Sequence, residues 1–129
     1  LCNNARDAMP NGGEIFISTS VRTKAVQSFV VLTVADNGSG MSDETRARIF
    51  EPFFTTKGEE RGTGLGLAMC YAVVKQHNGT IACESQVGNG TQFEISLPAM
   101  NMDRSGKETT EPTTAEVPTL GPLSVLRLR

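Results

Sequence analysis

The feature that most restricts this chain of 129 residues is a set of three glycine clusters, at residues 38–40, 62–66 and 88–90. Glycine is favoured where a chain turns sharply or where its backbone must approach another group closely. Each cluster borders a segment with regular apolar spacing. The clusters therefore predict short helices and strands joined by turns.

The spacing of apolar residues predicts four strands. Alternation over 14–22 and apolar character on both faces over 28–36 indicate two of them, and the second is expected to lie in the centre of a sheet. Segments 80–85 and 91–97 predict a closing hairpin across 87–90. The first helix extends to Met9 and is stopped by the Pro-Asn-Gly-Gly turn that follows it.

Two further helices are expected. Ser42 is a plausible N-cap for a helix that ends at Glu51, because Pro52 disfavours helical geometry in the residue before it. A second helix is predicted over about 64–77, with an Asn-Gly stop after it. Its predicted inward residues are Leu65, Met69, Ala72 and Val73. Residues 54–64 show no periodicity and are assigned to a loop of the kind that often serves as a lid.

Composition excludes several classes of function. A net charge of −2 with scattered basic residues argues against nucleic-acid binding. Three cysteines without close spacing predict neither a disulfide framework nor a zinc site and fit a reducing cytosol. The longest apolar stretch is far shorter than the ~20 residues of a membrane-spanning helix.

The character of the sequence changes after Pro98. We expect one domain over 1–98 and a disordered linker or tail over 99–129, which is rich in Thr, Glu, Pro and Ser. The last residues, 123–129, turn apolar and basic and could begin a further domain. The chain also opens in what reads as the middle of a helix, so we interpret it as a fragment.

Asp36 places a carboxylate on the apolar side of its strand, just before a glycine turn. An unpaired buried charge is costly. One interpretation is that Asp36 accepts a hydrogen bond from the amino group of adenine, while Gly38 and Gly40 let the base approach the backbone. The alternative is an ordinary Asp-Asn-Gly turn at the end of a strand.

The cluster at 62–66 precedes a helix, and the free N–H groups of a helix N-terminus attract phosphate. The cluster matches neither the dinucleotide pattern nor the P-loop pattern, and alone it is equally consistent with a flexible helix entry. Lys57 and Arg61 precede it and could neutralise the β- and γ-phosphates.

Asn4 borders the apolar stripe of the first helix, whereas Asn3 points away from it. An amide oxygen at Asn4 is chemically suited to Mg²⁺, which takes few protein ligands. The alternative is a solvent-facing Asn. His77, the single histidine, is interpreted as a partner of the helix dipole rather than a nucleophile.

In combination, these segments resemble the ATP-binding catalytic domain of a bacterial sensor histidine kinase. The resemblance is carried by the Asn-Ala-Arg-Asp-Ala-Met helix, Asp-Asn-Gly-Ser-Gly, the Phe-rich segment 49–57, Gly-Thr-Gly-Leu-Gly-Leu and Gly-Asn-Gly-Thr-Gln-Phe. It implies an α+β fold, a two-layer α/β sandwich with helices on one face of a mixed, mostly antiparallel sheet, here without its first strand and the start of its first helix.

The resemblance also implies a function. Such a domain binds Mg-ATP and donates the γ-phosphoryl group to a histidine on a separate dimerisation domain, from which it passes to a response regulator. The implied location is the cytoplasm. No catalytic nucleophile is expected in this chain.

The resemblance transfers roles to eleven residues. They are Asn4 as the magnesium ligand, Asp36, Gly38 and Gly40 at the adenine, Gly62, Thr63, Gly64, Leu65 and Gly66 in the phosphate loop, Lys57 as a phosphate contact and Thr91 as a polar neighbour of the base.

One departure from the family pattern is Asp7, since many members have Lys or Arg there. Two alternatives stay open. An ATP-hydrolysing clamp of the same fold group needs a Glu on the first helix, and residues 1–9 contain none. A non-catalytic nucleotide-binding or scaffolding domain is the other.

Overall fold

A computed structural model describes residues 1–25, 27–58, 62–99 and 124–128. Within these ranges the chain forms an antiparallel sheet with helices packed on one face. The elements are α1 (Cys2–Asp7), β1 (Gly13–Lys24), β2 (Gln27–Asp36), α2 (Asp43–Arg48), α3 (Gly66–Gln76), β3 (Thr80–Ser85), β4 (Thr91–Pro98) and β5 (Ser124–Leu128). The strand order is β3-β4-β2-β1-β5. Every strand pair in the described part of the chain is antiparallel.

The central strand is β2, as its apolar pattern predicts. It pairs with β1 on one side and β4 on the other. It buries Val34, 5% exposed, on the helix-covered face and Val31, 1% exposed, on the opposite face. The pairing places the ends of three strands level with one another, because Asp36 lies between Ile15 of β1 and Thr91 of β4.

The core under α1 fixes the position of that short helix. Ala5 and Met9 form a buried cluster with Ile15 and Val34. The cluster holds α1 against the same ends of β1 and β2 that carry Asp36. Burial of this apolar area is the main favourable term in such a fold.

Helix α2 begins as predicted, because the Ser42 side chain accepts a hydrogen bond from the N–H of Thr45 at 3.2 Å. It ends at Arg48 rather than Glu51. The Glu51 N–H donates to the Arg48 carbonyl at 2.9 Å, which tightens the chain into a turn ahead of Pro52.

Helix α3 begins at Gly66 and not at about residue 64. Gly64 has a φ of 64°, in the left-handed region, so it cannot belong to a right-handed helix. The helix stops where expected, since Asn78 has a φ of 54° directly after the cap His77.

The predicted inward face of α3 was wrong. Met69 and Val73 are 64% and 52% exposed, whereas Val74 is the buried residue of the helix and packs beside Gly79 and Leu97. The less exposed residues of the helix include Leu67, Cys70 and Val74, which are spaced i, i+3 and i+7 and therefore share the face that packs inward.

The prediction of a disordered tail over 99–129 does not hold for Ser124–Leu128. These residues pair antiparallel with the edge of β1 from Gly13 to Ile17. An unpaired strand edge offers N–H and C=O groups to any extended segment within reach, and the composition-based reading of the tail could not anticipate this pairing. The rest of that prediction, at residues 100–123 and 129, lies outside the described residues.

Candidate functional site

A cleft of about 420 Å³ opens where α1, the end of β2, the 53–57 segment and the start of α3 meet. Nine of the predicted site residues contribute to its lining: Asn4, Asp36, Gly40, Lys57, Gly62, Thr63, Gly64, Gly66 and Thr91. They come from five separate stretches of the sequence. The structure therefore brings together residues that the sequence shows only as distant motifs.

Two predicted residues, Gly38 and Leu65, do not line the cleft. Gly38 lies behind it and donates its N–H to Asp36 Oδ1 at 2.9 Å, and a Cβ there would meet the carbonyl oxygen of Ala8 at 2.8 Å. Gly38 thus allows the close approach of β2 to α1 and holds the Asp36 carboxylate. Leu65 is the cap residue of α3.

The Asp36 carboxylate lies at the half-buried floor of the cleft. Desolvation raises its pKa, while hydrogen bonds from the backbone N–H groups of Gly38 and Thr91 act in the opposite direction. The carboxylate is an acceptor held in place by the Gly38 N–H at 2.9 Å. An oxygen fixed in this way is suited to receive a hydrogen bond from an amino group in the cleft.

Hydroxyl groups support this end of the cleft. Thr91 is 8% exposed, and its hydroxyl lies 2.9 Å from that of Ser85. Ser85 Oγ also accepts from the N–H of Met41 at 2.8 Å and lies 2.9 Å from the Gly90 carbonyl, to which it can donate. The network ties the loop after β2 to the β3–β4 hairpin.

Two glycines make this arrangement possible. Gly40, with a φ of 64°, would place a Cβ against the backbone carbonyl of Gln86, and Gly90, with a φ of 80°, would place one against the carbonyl oxygen of Asp36. No L side chain fits either position without movement of the backbone.

The opposite end of the cleft is formed by the glycine cluster at 62–66. The Phe53 N–H donates to the Gly64 carbonyl at 2.9 Å, and a Cβ at Gly64 would lie against the Phe53 backbone. Phe53 itself has a φ of 65°. The cluster is thereby closed against the segment that carries Lys57, and Glu59, Glu60 and Arg61 lie outside the described residues.

Asn4 and Asp7 lie on the flank of α1 that faces the cleft, and both line it. Asp7 is a lining residue that the sequence interpretation left without a role. Its spacing of three from Asn4 was the available signal, since residues i and i+3 share a helix face. Lys57 Nζ donates to Asp7 Oδ2 at 2.7 Å across the mouth of the cleft.

The apolar walls were also missed as site residues. Ile49, 5% exposed, and Phe93, 5% exposed, line the cleft with Met41 and Phe54. Apolar residues of this kind read as core from sequence alone. An apolar lining of this kind is suited to a flat aromatic group.

The remaining reactive side chains do not form a second site in the described ranges. His77 lies at the end of α3, where its Nδ1 is 2.8 Å from the Val73 carbonyl. Burial raises the pKa of the Cys83 thiol to about 11, so this thiol stays protonated at neutral pH. Among the described residues there is no group of three or more His, Cys, Asp or Glu side chains that could hold a metal ion. None of the helices described there is long and apolar enough to cross a membrane.

Comparison with known proteins decides the family. Residues 1–101 match the model of the histidine kinase-, DNA gyrase B-, and HSP90-like ATPases. The chain belongs to this family. Its sheet and helices are those of the histidine kinase ATPase fold, and it is homologous to the catalytic domains of sensor histidine kinases.

Two curated relatives illustrate the similarity. The chain is 45% identical over 111 residues to the sensor kinase CckA of Brucella abortus, covering 78% of this chain and 12% of the relative. It is 43% identical over 98 residues to sporulation kinase E of Bacillus subtilis, covering 76% of this chain and 13% of the relative. The chain thus spans about an eighth of the length of these relatives.

Two solved structures are similar as well. The catalytic domain of histidine kinase ThkA is 33% identical with a TM-score of 0.56, covering 75% of this chain and 60% of that one. Full-length ShkA in complex with AMPPNP is 30% identical with a TM-score of 0.58, covering 74% of this chain and 19% of that one.

Proposed function

We propose that this chain binds Mg-ATP in the cleft and donates the γ-phosphoryl group to a histidine on a separate dimerisation domain of a two-component system. In this proposal the phosphohistidine then passes its phosphoryl group to a response regulator, and the location is cytoplasmic. The observation that carries the proposal is the convergence of an acceptor carboxylate, an amide-bearing helix and a glycine cluster on one cleft.

Asp36 is proposed to accept a hydrogen bond from the adenine amino group. A fixed carboxylate at the floor, with apolar residues on the walls, supports this orientation of the base. Gly40, which lines the cleft, is proposed to let the base approach the backbone, whereas Gly38 acts from behind by donating its N–H to the Asp36 carboxylate. The Thr91 hydroxyl is proposed as a polar neighbour of the base.

The triphosphate is proposed to extend toward residues 62–66. The peptide N–H groups of Gly62, Thr63, Gly64 and Leu65 precede α3 and that of Gly66 begins it, and the positive end of this 11-residue helix favours phosphate. Lys57 adds the positive charge in the described lining of the cleft.

Asn4 is the residue proposed to hold Mg²⁺. Its side chain offers a neutral oxygen at the cleft, and an ion of this kind takes its other ligands from phosphate oxygens and water. When bound, Mg²⁺ would neutralise charge on the β- and γ-phosphates.

Phosphoryl transfer needs little covalent chemistry from this domain. A histidine nitrogen of the partner domain forms a bond to the γ-phosphorus as the bond to the bridging oxygen breaks, and ADP leaves. The contribution of the cleft is to position ATP and to stabilise its charge.

Binding of a fluorescent ATP analogue, with and without Mg²⁺, tests the first part of the proposal. We expect saturable, Mg²⁺-enhanced binding that Asp36→Asn weakens. Asp43→Asn is the matched control because this carboxylate is 89% exposed and belongs to α2. Absence of saturable binding would favour a scaffolding role.

Transfer is tested with radiolabelled ATP and a dimerisation domain of a sensor kinase added in trans. We expect an acid-labile phosphoprotein that depends on Asp36. Release of inorganic phosphate without any phosphoprotein would favour an ATP-hydrolysing role instead.

A further inference from the structure

Lys57 is held by a carboxylate from a distant part of the chain. Its Nζ donates to Asp7 Oδ2 at 2.7 Å, although the two residues are 50 positions apart in sequence. Both line the cleft, and Lys57 is the cationic side chain in its described lining. The contact thus fixes the position of the Lys57 ammonium at the end of the cleft near residues 62–66.

The backbone of Lys57 is fixed as well. Its N–H donates to Thr55 Oγ1 at 3.1 Å, and the Thr55 hydroxyl donates to the Lys57 carbonyl at 3.3 Å. Gly62 packs beside this turn, where a Cβ would lie 2.5 Å from Thr55 Oγ1. The four-carbon stem between a fixed backbone and a fixed ammonium has few conformations left.

We propose that Asp7 is a positioning residue that holds the Lys57 ammonium at the mouth of the cleft for the β- and γ-phosphates of the nucleotide. The inference rests on the proposed function. An ammonium has three N–H donors, and the contact with Asp7 uses one of them. Two remain for phosphate oxygens.

The charge of Asp7 fits this role. The hydrogen bond from Lys57 holds the pKa of the Asp7 carboxyl below its ordinary value, with smaller contributions from Arg6, so Asp7 is ionised at neutral pH. Without Lys57 this carboxylate would repel phosphate. With Lys57 the pair is neutral and presents its donors to the cleft.

A double-mutant cycle on the whole chain tests the proposal, with ATP affinity measured by calorimetry. We expect Asp7→Asn to weaken ATP binding about two- to fivefold, the range typical of a solvent-exposed ion pair. In a Lys57→Met background the same substitution should not weaken binding, and should strengthen it, because it then removes only repulsion.

Controls separate positioning from folding. Arg6→Met removes the other cation beside Asp7, at 3.4 Å and outside the cleft lining, and should leave ATP affinity unchanged. Asp7→Glu keeps the charge and should retain most of the affinity. Amide spectra of each variant confirm that the fold is intact.

Four outcomes would overturn the proposal. Tighter ATP binding by Asp7→Asn in the unaltered background would mean that Asp7 withholds Lys57 from phosphate. Equal losses in both backgrounds would mean that Asp7 does not act through Lys57. Unchanged affinity in Asp7→Asn would mean that Asp7 has no role in ATP binding. If the unaltered chain did not bind ATP, the proposed function would be overturned as well.

Discussion

At the Asp36 end of the cleft, side chains are positioned by paired strands, whereas at the 62–66 end they are positioned by a loop that a few contacts close. Asp36 lies in register with Ile15 and Thr91 in neighbouring strands. Lys57, at the other end, is held by its contacts with Thr55 and Asp7. One end of the site is therefore part of the packed sheet, whereas the other is a surface loop that a few side-chain contacts hold in position.

The two ends of the cleft also differ in how much free energy a substitution is expected to change. Changes at the sheet end act through buried groups, whose hydrogen bonds are costly to lose. Changes at the loop end act through exposed groups, where ion pairs contribute little and are screened by solvent. We therefore expect large effects on nucleotide affinity from the sheet end and smaller ones from the loop end.

The largest expected effect is that of Asp36→Asn on ATP affinity. If Asp36 is the charged acceptor for the adenine amino group, as proposed, its loss is worth about 1.5–3 kcal/mol, or about 10- to 100-fold in affinity. Calorimetric titration with ATP measures it. Asp43→Asn is the matched control and should change affinity less than twofold.

The same substitution should not lower stability at neutral pH. Desolvation raises the pKa of Asp36 in the folded protein above its value in the unfolded chain. The ionised carboxylate therefore destabilises the fold as the pH rises through the folded pKa, and any stabilisation by this carboxyl is present only at lower pH. Urea unfolding at pH 7 is expected to give an equal or higher free energy for Asp36→Asn. A clear decrease would mean that the carboxylate is part of the core network rather than of the ligand site.

A comparison of the variants Gly64→Ala and Gly66→Ala tests the backbone conformation at the loop end of the cleft. Gly64 has a positive φ and no room for a Cβ, so Ala should cost about 1–3 kcal/mol and weaken ATP binding. Gly66 begins α3 with open space around it, so Ala there should stabilise the helix by at most about 1 kcal/mol. Equal stabilities of the two variants would contradict the closed junction between Gly64 and Phe53.

Asn4→Ala should reduce the Mg²⁺-dependent part of ATP binding. We expect a loss of about 3- to 10-fold in Mg²⁺ and little change in its absence, because the amide would contact the ion and not the base. Asn3→Ala, one residue earlier and exposed, is the matched control. A similar loss with and without Mg²⁺ would assign Asn4 to the nucleotide itself.

The smallest expected effect is a pH dependence of stability from the Asp7–Lys57 pair. The folded-state pKa of Asp7 lies below its ordinary value of 3.8, so its contribution is present above that value and is lost as the pH falls through the lower folded pKa. Lys57→Met should flatten the fall of the unfolding free energy in that acidic range by a fraction of a kcal/mol. Parallel curves for the two proteins would show that the pair adds no stability.

The sheet end was readable from the sequence because its signals are local and periodic. The pattern of β2 predicted a central strand, and the Ser42 cap and the Asn78 stop were predicted from the chemistry of single residues. The position of Asp36 on its strand followed from alternation alone. Strand pairing then places Asp36 beside Ile15 and Thr91, because the ends of these adjacent strands lie level in the sheet.

The loop end was less readable because its geometry depends on contacts between distant residues. The start of α3 was misplaced since Gly64 adopts a left-handed conformation that its contact with Phe53 requires. The partnership of Asp7 with Lys57 joins α1 to a segment without periodicity, and no local pattern encodes it. The pairing of β5 with β1 is long-range for the same reason.

The most direct test of the account is a crystal structure of this chain with Mg²⁺ and a non-hydrolysable ATP analogue. We predict the adenine amino group within hydrogen-bonding distance of the Asp36 carboxylate, and the phosphates beside residues 62–66 with the ion at Asn4. An analogue bound elsewhere, or bound in this cleft with its base away from Asp36, would contradict it.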